Sequence, residues 1–133
     1  MMTKRKVNVH DLRKDNNLSA DEGWVKMDVK WVCTEHTMGS EHSVFGHTIF
    51  EPGGGAHELH THPNAEEILY VIKGHGIAIS GDEEFDIGPG DLVFVPKGEK
   101  HFFKNTHSTE NLETVWVYGG APSLEKAGYN PME

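Results

Sequence analysis

The sequence holds a single cysteine, Cys33, so no disulfide can form within the chain. Its fold must rest on a buried core, which a chain of 133 residues is long enough to build. A reducing compartment is compatible with that cysteine usage. Long apolar runs are missing too: no stretch approaches the ~18 apolar residues of a spanning helix. Lys4, Arg5 and Lys6 are followed by no apolar segment, so no secretory leader is expected. Positive charge is scarce, with 12 Lys and Arg against 21 Asp and Glu for a net charge of −9. That balance argues against nucleic acid as a partner and against anionic membrane surfaces. No helical period persists over three turns, and there is no repeat, low-complexity tract or long linker. These absences leave one domain over residues 1–133, soluble and expected in the cytoplasm.

What is present is a series of short strands. Trp24 to Cys33 alternates, with Val25, Met27, Val29, Trp31 and Cys33 on one face and Trp24, Lys26, Asp28 and Lys30 on the other. The first face is expected to be buried, with Cys33 as a small buried hydrophobe. Ser43 to Phe50 reads as a second strand, ending at Pro52-Gly53-Gly54-Gly55. Further strands follow at 57–62, 66–73, 77–80, 85–87, 92–95, 101–104 and 114–118, separated by Gly, Pro and Asp turns. Residues 1–6 are expected to fray, Val7 to Leu12 to make a short edge strand, and 13–23 to loop. The tail from 119 to 133 has room for one helical turn at 123–127. The pattern predicts an all-β sandwich or barrel over residues 24–118.

Against this background the ten histidines stand out. In a strand, residues i and i+2 point the same way, so His60 and His62 project together. Glu67 opens the next strand after a Pro-Asn turn, and His101 arrives from a strand remote in sequence. Three imidazoles and a carboxylate suit Fe, Mn, Ni, Co, Cu or Zn. Four ligands leave two positions open on an octahedral ion, where a substrate or dioxygen can bind.

These residues sit in two stretches that resemble the motifs of the cupin family. The family pattern G(X)5HXH(X)3,4E(X)6G is matched by Gly54, His60, His62, Glu67 and Gly74. The pattern G(X)5PXG(X)2H(X)3N is matched by Gly90, Pro96, Gly98, His101 and Asn105. Both fit without a gap over residues 54–105. The resemblance implies a single-domain jelly-roll β-barrel of the cupin type. It implies one divalent transition metal ion, Fe, Mn, Ni or Zn, held by His60, His62, Glu67 and His101. It selects Glu67 over its neighbour Glu66, which points the other way and reads as a rim carboxylate. It also implies a homodimer, paired through outer apolar residues such as Tyr70 and Ile72, with Val7 to Leu12 available as an exchanged strand.

Other residues are weighed by strand parity. His47 shares parity with Phe45 and Ile49, and is the candidate catalytic acid or base if that face lines the barrel. His57 has opposite parity to His60 and is expected to face away from the ion unless the chain bends near Gly55. His75 lies between two glycines, and His10, His36, His42 and His107 read as surface. Asn105 is expected to tie a turn rather than to ligate. Leu69, Val71 and Phe103 should line the interior beside Glu67 and His101. For Trp116 and Tyr118 against Val115 and Val117, either face could be the inner one.

The family includes many chemistries, so the activity must come from the site. The expectation is a metal-dependent enzyme acting on a small oxygenated substrate: a hydroxy or keto acid, a sugar acid or a phenol. The chemistry is that of a dioxygenase or of a non-redox lyase or isomerase. The alternative is a non-catalytic metal-dependent binding or sensor protein.

Overall fold

The computed structural model describes residues 4–132. Of the start expected to fray, residues 1–3 lie outside that range. Two antiparallel sheets make up the described chain. The first runs in the order β1 (Trp24–Val25), β4 (Ala56–Thr61), β9 (His101–Asn105), β6 (Gly76–Ser80) and β7 (Glu83–Ile87). A short β11 (Asn130–Pro131) also pairs with β4. The second runs β2 (Met27–Cys33), β3 (Ser43–Phe50), β10 (Leu112–Gly119), β5 (Glu66–Lys73) and β8 (Leu92–Val95). From β4 onward the chain crosses repeatedly between the sheets, the connectivity of a jelly roll. The all-β fold expected from the strand pattern, and the jelly-roll barrel that the resemblance implies, are what the structure shows.

One core fills the space between the sheets. Trp24, Ala78 and Phe103 come from the first; Val29, Val44, Phe50, Leu69, Val71, Leu112 and Trp116 come from the second. Strand β10 alternates strictly, with Leu112, Thr114, Trp116 and Tyr118 buried and Val115 and Val117 partly exposed. The Trp-Tyr face is therefore the inner one. Opposite Trp116 on β3 stands Gly46. A Cβ at that position would lie 2.1 Å from the Trp116 ring, so only glycine lets the indole lie across β3.

The single strand expected over 24–33 is two strands. Lys26 adopts φ 50° between them, and the chain passes from the first sheet to the second. That left-handed residue resets the alternation. Trp24, expected on the polar face, is 9% exposed and packs in the core. A second irregularity, between Trp31 and Cys33, sets Cys33 opposite Phe45, on the outer side of β3. Cys33 is accordingly half-buried and not a core residue. Val7 to Leu12 holds no strand; Val9–Asp11 is a 3-10 turn capped by the Asn8 side chain. The tail forms α1 (Leu124–Ala127), capped by Ser123, before β11. No helix among the described residues is long and apolar enough to cross a membrane.

Candidate metal centre

His60, His62, Glu67 and His101 come together inside the barrel, all four buried. Each has a distinct support. His60 and His101 are direct partners across β4 and β9. His62 follows the end of β4, where Pro63 turns the chain. Glu67 is on β5 of the opposite sheet, in register with Tyr118 of β10. The centre therefore bridges the two sheets. Glu66, one residue earlier, is exposed, as strand alternation requires.

The ligand-type atoms all lie within 4.8 Å of one another. Glu67 Oε1 is 3.1 Å from His101 Nε2 and 3.4 Å from His62 Nε2. Donors about 2.1 Å from a shared ion stand roughly 3 to 4 Å apart, so the widest pairs must close by about 1 Å to hold an ion. The protonation pattern points the same way. His60 Nδ1 donates to Glu58 O. His62 Nδ1 donates to Gly128 O at 2.8 Å and His101 Nδ1 to Glu99 O at 3.2 Å. A neutral imidazole with its proton on Nδ1 has a bare lone pair on Nε2. The Nε2 atoms of His60, His62 and His101 are all buried without a hydrogen-bond partner. Three buried ring nitrogens facing a carboxylate could hold a cation between them.

Electrostatics agree with that reading. Burial, then the neighbouring imidazoles, holds His60 neutral, well below the ordinary histidine range. Burial pushes the Glu67 carboxyl up, but hydrogen bonds from the Nε2 side of His101 and His62 lower it more, to well below the usual carboxylate range; a bound ion would take the place of those Nε2 protons. Three imidazole nitrogens and one carboxylate oxygen form the set that intermediate divalent metals prefer. The residues fit such an ion.

Beside the cluster is a chamber of about 20 Å3, lined by Trp24, Met27, Thr48, His57, Glu67 and Tyr118 among others. That is room for about one water molecule. Burial, and then the Glu67 charge, raises Tyr118 well above the usual phenol range, so it stays a neutral hydroxyl.

The structure corrects two placements. His47 does not reach the centre. Thr48 and Phe50 line the interior, so His47 alternates to the opposite face of β3, where its Nε2 is 2.7 Å from Glu113 Oε2. Its parity with Phe45 and Ile49 misled because the outer face of this sheet is apolar as well. His57, in contrast, faces inward. The register of β4 on β9 shifts between His57 and His60, and this bulge turns both rings to one side. Their centroids are 3.9 Å apart. His57 also stacks on Trp24 at 3.9 Å. Its Nε2 is 3.2 Å from Tyr129 Oη.

Other expectations hold. Asn105 ties a turn, donating to Phe50 O and Glu110 O and accepting from His107 N. His75 is exposed, as are His10, His36, His42 and His107. Leu69, Val71 and Phe103 are buried. Gly128 and Tyr129, in the tail, carry no sequence signal that would have joined them to the site.

Comparison with known proteins agrees with the geometry. The sequence model of the cupin domain matches residues 46–118. The chain belongs to the cupin family. An oxalate-binding protein of Thermotoga maritima is 27% identical to this cupin over 95 residues, 71% of the chain and 76% of that protein. A probable oxalate decarboxylase of Arthroderma benhamiae is 40% identical over 70 residues, 49% of the chain but only 17% of that protein. The polyketide cyclase RemF of Streptomyces resistomycificus superposes with a TM-score of 0.78 at 20% identity, covering 98% of this chain and 86% of its own. At that identity the likeness is one of fold.

Proposed function

We propose that this cupin binds one divalent transition metal ion at His60, His62, Glu67 and His101, and acts as a metal-dependent enzyme on a small oxygenated acid. The observation that carries the reading is the set of three buried, unpartnered Nε2 atoms gathered around Glu67. Iron, manganese, nickel and zinc all suit the donors. Bound there, such an ion would supply Lewis acidity toward a chelating carboxylate or hydroxyl oxygen. The chain's own residues do the rest. Trp24, Phe50, Leu69, Phe103 and Trp116 wall the chamber and exclude water. Tyr118, kept neutral, is a hydroxyl donor beside the ligand carboxylate. Short hydroxy, keto or dicarboxylic acids are the proposed class; the chamber, with room for about one water molecule, must widen to take one. The resemblance to the Thermotoga oxalate-binding protein supports the same class.

A second reading, metal-dependent binding without turnover, is favoured by the walls: they are largely apolar and aromatic. Elemental analysis of protein purified without added metal tests the centre. Calorimetry with oxalate, glycolate and glyoxylate on the loaded protein then tests the substrate class. Product analysis and oxygen uptake separate lyase or isomerase, dioxygenase and simple binder. Absence of a copurifying or added ion at one per chain refutes the site. Binding of none of the three acids refutes the substrate class.

The proposal extends to a cytoplasmic homodimer. Phe45, Tyr70, Ile72, Leu92 and Phe94 are exposed on the outer face of the second sheet. Val117 pairs with both Phe45 and Ile68, and Ile68 with Phe94, so the apolar face runs across four strands. An exposed apolar face of this extent fits a subunit contact. The half-buried free thiol of Cys33 suits a reducing compartment. Tyr70→Glu is expected to convert a dimer to a monomer in sedimentation at micromolar concentration; a monomeric wild type refutes the pairing.

A further inference from the structure

The chain beyond Ser123 is docked along the strand that leads to the His-x-His pair. Asn64 N donates to Ala127 O at 2.9 Å, and its side chain to Lys126 O at 3.1 Å. In β11, Asn130 pairs with Thr61 and Pro131 with His60, and Met132 N reaches Leu59 O at 3.0 Å. These bonds bring the segment to the centre itself. Gly128 O accepts the Nδ1 proton of His62. The Tyr129 ring lies 4.9 Å from that of His60, at 28°.

The contrast among the three imidazoles is informative. His60 and His101 find their Nδ1 acceptors two residues back on their own chain, at Glu58 and Glu99. Those acceptors are local: Glu58 lies on β4, and Glu99 just precedes β9. The acceptor for His62 comes from the far end of the sequence. A carbonyl in that position fixes the tautomer and the ring plane, leaving Nε2 aimed at the ion.

Tyr129 acts on the other side. Its one hydroxyl proton goes to Glu58 Oε1 at 2.7 Å. His57 Nε2 must then donate to the Tyr129 oxygen, which sets the His57 tautomer. His57 in turn packs against His60. The fit at Gly128 is close: its φ is 83°, and a Cβ there would lie 2.7 Å from Pro63.

We infer that Gly128 and Tyr129 are positioning residues of the metal centre, so that docking of the C-terminal segment and binding of the ion are coupled. This rests on the metal reading proposed above. Coupling is reciprocal: whatever the segment adds to ion affinity, the ion returns to the docking of the segment.

The test uses the full chain and zinc as the probe. By calorimetry with a competing chelator, Gly128→Ala and a chain ending at Ala127 are each expected to bind zinc about 10- to 100-fold more weakly than wild type. Tyr129→Ala should fall in the same direction, and Tyr129→Phe, which keeps the ring on His60 but removes the oxygen that His57 donates to, should recover only part of the loss. Two further readouts separate positioning from general destabilisation. Nitrogen-15 shifts of metal-free protein should show His62 protonated on Nδ1 in wild type, and lose that preference in Gly128→Ala. Zinc should also slow carboxypeptidase removal of the tail. If Gly128→Ala does not fold, the Tyr129 pair decides. Unchanged zinc affinity in these variants, with His62→Ala abolishing binding, overturns the inference and leaves the metal reading intact. A wild type that binds no zinc, or a His62→Ala protein that binds it equally well, overturns both.

Discussion

Strands β4 and β5 deliver side chains to the same point by different means. Along β5 the alternation is unbroken: Glu67, Leu69 and Val71 turn inward, while Glu66, Tyr70 and Ile72 are exposed. Its candidate ligand is placed by parity alone, because the strand is hydrogen-bonded to β10 and β8 in continuous register near Glu67. On β4 the register breaks between His57 and His60, and both imidazoles face the interior. A bulge re-aims side chains but gives up regular pairing, and the opposite edge of β4 is held by β1 at one end and β11 at the other. A regular strand positions a ligand through its own ladder. An irregular one needs buttresses from elsewhere in the chain.

Deleting a ligand from either strand is the severest way to challenge that contrast. His60→Ala on β4 and Glu67→Ala on β5 should both reduce copurifying metal to a trace by elemental analysis, since each donor set is then incomplete. Retention of the ion by either variant would mean that its strand does not contribute a ligand.

Next in size is the difference between the two faces of β5. Leu69 is 2% exposed, and Leu69→Ala is expected to cost about 2 to 5 kcal/mol in urea unfolding. Tyr70 is 42% exposed, and Tyr70→Ala, read at a concentration where the chain is monomeric, should cost about 0.5 kcal/mol or less. Equal costs would break the claim that parity governs this strand.

Acid separates the two strands by pH window. Burial, followed by neighbouring imidazoles, lowers His57 and His60 of β4 below the ordinary value of 6.5. In the metal-free protein the unfolded chain takes up those protons first, so stability falls as pH drops below about 6.5. Glu67 of β5 is also held below its ordinary value of 4.5, its histidine neighbours outweighing burial. Its contribution is present above about 4.5 and is lost as pH falls further. Thermal midpoints of the metal-free protein should therefore decline in two stages, and His57→Phe should shrink only the first. A flat profile between pH 7 and 5 would contradict it.

The smallest effect is expected at His47, on the outer face of β3. His47→Ala should leave zinc affinity unchanged and cost about 1 to 2 kcal/mol, through loss of the contact with Glu113. A marked fall in zinc affinity would mean that His47 reaches the interior after all.

The failures of sequence reading have one physical origin. Parity arguments assume a ladder without interruption. They succeed on β5, on β9 for His101 and Phe103, and on β10 once Trp116 is known to be inside. They fail where the chain steps out of register: at Lys26, which brings Trp24 into the core, at Trp31 to Cys33, and at His57 to His60. Alternation also divides a strand into two faces without saying which is inner. His47 was placed wrongly for that reason, because Phe45 beside it is apolar yet 37% exposed.

The sequence by itself determined the barrel and the identities of the four candidate ligands. Those depend on local properties: turn residues at short intervals, i and i+2 projection, and donor types that share one chemistry. Only the tertiary structure decided that His57 joins them, that Tyr118 faces Glu67, and that Gly128 and Tyr129 hold His62 and His60. Each of those contacts depends on a register shift or on segments that meet only after the sheets have closed, and no local pattern encodes either.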